Sequence, residues 1–117
     1  MGSGEPQIDK EYLAEISGGD TEFEQELIQT FLEAAPALID SYKAAVDAND
    51  LPGITHASHT LKGSSRSIGA SVFAETCEKA ERAARYNDLA ACRALTPEIE
   101  RAFSVLSDAA DELLEAA

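Results

Sequence analysis

Apolar residues return at steps of three and four along almost the whole of this chain, and no stretch alternates apolar with polar residues for long enough to make a strand. Phe23, Leu27, Phe31, Ala34, Leu38, Tyr42, Ala45 and Asn49 trace one such stripe, and Leu89, Cys92, Thr96, Ile99, Phe103, Leu106, Ala110 and Leu113 trace another. A stripe with this period is the buried face of a helix, and long seams of the kind suit antiparallel bundle packing. The class is therefore all-α.

Helix punctuation divides the chain. Ile8 to Ser17 reads as a short first helix closed by Gly18-Gly19, because glycine accepts the left-handed conformation of a C-terminal cap. Thr21 with Glu24 three residues later reads as a capping box for the next helix. Pro36 removes a backbone donor within that helix, so two collinear pieces acting as one bundle member are expected. Asn49-Asp50 and Pro52-Gly53 mark a turn, and the following helix runs to about Ile68, before Gly69. Ser71 is the expected cap of a segment carrying Val72, Phe73, Thr76, Cys77, Ala80, Ala83 and Ala84, which ends near Asn87-Asp88. Pro97 implies a local kink in the last helix. The expected architecture is an antiparallel four-helix bundle with a short additional N-terminal helix, over residues 8–117. Residues 1–7, beginning Met1-Gly2-Ser3-Gly4, read as a linker or expression remnant.

With 117 residues, 44% of them hydrophobic, the chain can bury one modest core and not two. No apolar run approaches the roughly 20 residues needed to cross a bilayer, and no secretion leader is visible, so a soluble cytoplasmic protein is expected. Cys77 and Cys92 fall at apolar helical positions and read as buried free thiols rather than a disulfide or a zinc site.

The formal charge of −13 is unevenly spread. Residues 1 to 50 hold twelve acids against Lys10 and Lys43, and residues 69 to 117 hold ten acids against five bases. Residues 51 to 68 hold Lys62 and Arg66 and no acid. So acidic a body argues against nucleic acid and anionic membrane as partners, since both require counter-charge.

Both histidines lie in that non-acidic segment. At 100° per residue, Ile54, Ala57, Leu61, Ser65 and Ile68 share one face, and His59 lies about 160° from Leu61, towards solvent. Around it fall Thr55, His56, Lys62, Gly63 and Arg66, a stripe with no carboxylate of its own. Gly63 is the neighbour one turn on, and a glycine inside a helix costs about 1 kcal/mol relative to alanine. Its effect is to leave one side of the imidazole open to a bulky partner. Lys62 reads as a mobile cation able to reach an oxyanion on the ring, and its charge disfavours a second positive charge there; Arg66 adds to both effects. Ser64 and Ser65 turn inward and read as structural, because serine needs an adjacent oriented base to act as a nucleophile.

These residues, His59-Thr60-Leu61-Lys62-Gly63-Ser64-Ser65 followed by Ile68-Gly69-Ala70, resemble the signature of histidine phosphotransfer (HPt) domains, helical carriers of phosphorelays. The resemblance runs from about Ile8 to Leu114 and takes in Phe31-Leu32-Glu33-Ala34-Ala35-Pro36 and the Gly18-Gly19-Asp20 start. It implies that His59 accepts a phosphoryl group from a receiver-domain aspartate and passes it to another. It also implies that Lys62 is the phosphoryl-side cation, Gly63 the clearance residue, and Glu81, by offset, the residue that hydrogen-bonds the ring and fixes its tautomer. Arg66, Arg82 and Arg85, with Lys62, would steer an acidic receiver face. Ser58 stands where the family often has alanine, and Arg66 where a neutral residue often sits.

The resemblance implies a phosphoryl carrier, not an autonomous kinase or phosphatase, with no cofactor or metal of its own and receiver domains as partners, acting as a monomer. Two other readings stand beside it. A helical adaptor that is never phosphorylated would need no open histidine. A metal-binding bundle would use His56 and His59 with Glu78 or Glu81, although that set lacks the inward-facing carboxylates of bundle sites. A kinase is excluded, since no glycine-rich nucleotide loop occurs.

Overall fold

The computed structural model describes residues 6–116, and among these it contains five helices and no strand. They are α1 (Lys10–Ser17), α2 (Thr21–Asp47), α3 (Leu51–Ser67), α4 (Ser71–Arg85) and α5 (Leu89–Ala116). Cross-links between helices give their directions. Arg66 on α3 pairs with Glu78 on α4, and His59 with Glu81, so the two helices run antiparallel. Arg93 at the start of α5 donates to Val46 and Asn49 at the end of α2, while Lys43 pairs with Glu100 further along α5, which makes those two antiparallel as well. The result is the antiparallel four-helix bundle, with α1 as the extra short helix.

Four helices are capped by aspartates that the chain places just before them. Asp9 accepts from the backbone of Glu11 and Tyr12, Asp20 from Phe23, Asp50 from Gly53 and Asp88 from Ala91. The expected capping box at Thr21 and Glu24 is thus corrected: Asp20 is the cap, and Glu24 instead accepts a 2.6 Å hydrogen bond from Ser17 at the end of α1. Ser71 is likewise the first residue of α4 and not its cap; Ala70 holds that place without a side-chain bond. The helix expected from Ile8 begins at Lys10, with Ile8 buried ahead of it. Most of the expected 1–7 leader lies outside the described residues; Gln7, its last residue, lines a groove with Val72 and Thr76 of α4 and Val105 of α5.

Pro36 does not divide α2, which is one helix of 27 residues, and Pro97 lies within an equally continuous α5. Each proline removes a single backbone bond, and both lie on the exposed side, so the neighbouring bonds carry the helix past them. The buried face of α2 also differs from the stripe read in the sequence. Ile28, Phe31, Ala35, Ile39, Tyr42, Ala45 and Val46 are buried, whereas Phe23 and Ala34 are exposed and Leu27 and Leu38 only half-buried. The apolar arc of α2 is wider than one stripe, and contact with both α3 and α5 decides which part of it is central.

The core contains Phe31, Phe73 and Phe103 with ring centroids 5.9 to 6.2 Å apart in edge and tilted arrangements. Tyr42 is fully buried and its hydroxyl donates to the Cys92 carbonyl at 2.6 Å. Both cysteines are free and buried, and burial pushes the Cys77 thiol up to about 12. Gly69 ends α3 with a positive φ of 74°, and its carbonyl accepts from Asp9 at 2.9 Å. A Cβ there would meet the Asp9 backbone at 3.1 Å, so glycine serves both the turn and the docking of α1. The α3–α4 hairpin so fixed carries the site.

Candidate functional site

The α3 sequence decides which way its histidine points. Ile54, Ala57, Leu61, Ser65 and Ile68 are all buried, as their phase requires, and His59 on the opposite side leaves 61% of its side chain exposed. Ser58 and Ser65 face inward and return their hydroxyls to the carbonyls of Ile54 and Leu61, at 2.7 and 2.8 Å, which satisfies them without a partner helix. At Gly63 an added Cβ would meet nothing within 4 Å. Packing therefore does not explain this glycine, and the surface beside His59 is bare.

Helix α4 supplies the carboxylates that α3 lacks. Glu81 is almost fully buried, and its Oε2 lies 3.0 Å from His59 Nδ1. Arg85, one turn further along α4, donates to the same oxygen from Nε at 3.2 Å and from Nη2 at 2.6 Å. Lys62 Nζ stands 2.6 Å from the other oxygen, a close ion pair rather than an aligned hydrogen bond. Burial pushes the Glu81 carboxyl up, but the contacts from Lys62, Arg85 and His59, with the charge of Lys62, outweigh it and pull the group down to about 2. Glu81 is therefore ionised at neutral pH. A carboxylate only accepts, so Nδ1 carries a hydrogen, and in the neutral ring the lone pair is then on Nε2. The arrangement sets a largely exposed imidazole against a buried anion.

Lys62, expected as a mobile cation, rests against the carboxylates of α4. Its side chain is only 15% exposed, and its charge is already matched by Glu81, with Glu78 at 3.9 Å. Sequence phase gave α3 in isolation and did not show that α4 would present two carboxylates to it. Arg66, Arg82 and Arg85 are each more than half exposed; Arg66 and Arg82 reach Glu78 at 3.5 and 3.4 Å, and Arg85 reaches Glu81. His59, Lys62, Glu78, Glu81, Arg82, Arg85 and Tyr86 together line an open recess of about 500 Å³. Sequence reasoning missed Glu78 as an organiser of the cations, Arg85 as a holder of Glu81, and Tyr86 altogether. The i, i+4 pairs Glu78/Arg82 and Glu81/Arg85 were the available signal for the first two.

His56 takes no part. It lines a separate groove between α2 and α3, with Leu38, Ala44 and Asp50, so it does not converge with His59, Glu78 and Glu81. Among the described residues no three His, Cys, Asp or Glu side chains come together as a metal ion would need. None of the described helices is long and apolar enough to cross a membrane.

Residues 26–116 match the sequence model of a family described as the Hpt domain. The phosphorelay intermediate protein rdeA of Dictyostelium discoideum is 31% identical over 110 residues, covering 87% of this chain; the chain spans only 42% of that relative's length. The crystal structure of histidine-containing phosphotransfer protein B from Pseudomonas aeruginosa superimposes with a TM-score of 0.87 at 27% identity, covering 96% of this chain and 97% of that one.

Proposed function

The chain belongs to the Hpt domain family, and on that premise we propose that residues 8–117 act as a phosphoryl carrier between receiver-domain aspartates, with His59 as the phosphoacceptor. The single observation that carries this reading is the His59–Glu81 contact, which leaves Nε2 as the free nucleophile on an open surface. In the forward step Nε2 attacks the phosphorus of an aspartyl phosphate. The N–P bond forms as the acyl P–O bond breaks, and the aspartate carboxylate leaves with the electron pair. The ring gains positive charge while keeping its Nδ1 hydrogen, and the Glu81 carboxylate faces that charge. The return step is the reverse attack by the aspartate of a second receiver.

Other residues support the transfer without exchanging atoms. Gly63 leaves the approach clear. Lys62 meets the phosphoryl oxygens by moving its ammonium off Glu81, and Arg85 then holds that carboxylate in place. Arg66, Arg82 and Arg85 lie where an acidic receiver would be steered. The reading includes a cytoplasmic monomer with no cofactor, drawing its phosphate from partners and not from a nucleotide.

The test is transfer from phosphorylated receiver domains to the purified protein, with acid-labile label followed on the chain. His59→Gln should abolish labelling. Undiminished labelling of that variant would show that the acceptor lies elsewhere, and no labelling of the wild type by any receiver would favour a helical adaptor.

A further inference from the structure

Tyr86 is the most exposed large apolar side chain among the described residues: 78% of it meets solvent, against 49% for the next, Val105. It is not a loose loop residue. It caps the C-terminus of α4, its N–H bonded to the Arg82 carbonyl at 3.0 Å, and Asn87 behind it turns the chain with a φ of 60°. The root of the ring is thus fixed while the ring itself stands on the rim of the recess that holds His59. Every other side chain of that recess is charged or titratable, so nothing in the fold covers the ring. A large aromatic surface left in water on a rigid stem suits an interface, where tyrosine gives contact area for the loss of only two side-chain rotations.

Charge identifies what would cover it. Lys62, Arg82 and Arg85 line the recess against Glu78 and Glu81, and Arg66 reaches Glu78 from beside it, a local excess of cations on a chain whose net charge is −13. An acidic partner is repelled by most of this molecule and attracted here. An aspartyl phosphate and the receiver surface around it have that character. Resting on the carrier reading, we infer that Tyr86 is a specificity-determining anchor for the receiver. Its ring packs on an apolar spot beside the receiver's acidic phosphorylation site, Arg82 and Arg85 flank it, and receivers that lack such a spot exchange phosphate poorly.

The experiment measures initial transfer rate against receiver concentration for a panel of receiver domains phosphorylated with acetyl phosphate. Wild type, Tyr86→Ala, Tyr86→Phe and His59→Gln are compared, with circular dichroism to show that each is folded. For the best receiver, Tyr86→Ala should raise KM about tenfold with a much smaller effect on the saturating rate, and Tyr86→Phe should restore most of the loss. The spread of kcat/KM across the panel should narrow. Equal KM values for wild type and Tyr86→Ala across the panel overturn the inference and leave the carrier reading intact, provided His59→Gln still blocks labelling. Failure of every receiver to label the wild type overturns both. Self-association that disappears in Tyr86→Ala, seen by light scattering, also overturns it, because the ring's occupant is then a second copy of the chain.

Discussion

Glu81 concentrates the chemistry of this protein in one side chain. Its two oxygens meet a lysine, an arginine and the histidine ring, and only that set of donors makes an ionised carboxylate tolerable at such burial. The pH dependence follows from its depressed pKa. A carboxyl at 4.5 in the unfolded chain and about 2 in the native one contributes stability that is fully present above 4.5 and is lost as pH falls through about 2. Denaturant unfolding followed from pH 5 to pH 2 should therefore show the wild type losing more than Glu81→Gln, by on the order of 3 kcal/mol. Parallel pH profiles for the two proteins would contradict the ion-pair account. The glutamine variant should also lower the transfer rate, since an amide accepts the Nδ1 hydrogen without opposing the charge that the ring develops.

Among the elements, α2 shows how a helix start is chosen. Asp20 and Thr21 both suit an N-cap, and each has an acidic residue three or four positions on, but the structure uses Asp20 because Gly18 and Gly19 turn the chain early enough for Thr21 to enter the helix. Asp20→Ala should cost about 1 kcal/mol in chemical denaturation, while Thr21→Ala should change stability by less than about 0.5 kcal/mol. The reverse order would mean that Thr21 is the working cap. The hairpin of α3 and α4 matters for a different reason. It aligns His59 and Lys62 with Glu81 across two antiparallel helices, so three residues that chemistry needs together come from positions 59 to 81 without any loop in the site.

On the scale of the molecule, the charge of −13 opposes compaction everywhere except around the recess. Screening should relieve that repulsion: raising NaCl from low concentration to 0.2 M at pH 7 should raise Tm by about 4 °C, as expected for roughly 1 kcal/mol in a domain of this size. A fall in Tm would mean that the ion pairs around Glu78 and Glu81 outweigh the general repulsion. The helical class, the helix count, the outward direction of His59 and the bare surface at Gly63 were all legible in the sequence, because each depends on local period and on the residue's own backbone. The unbroken course of α2, the central part of its wide apolar arc, the capture of Lys62 and the standing of Tyr86 at the recess were decided only when α4 packed against α3 and α2 was wedged between α3 and α5. Period fixes the angle of a side chain about its own helix axis, whereas partners and net local charge depend on which second helix arrives on that side and in what register.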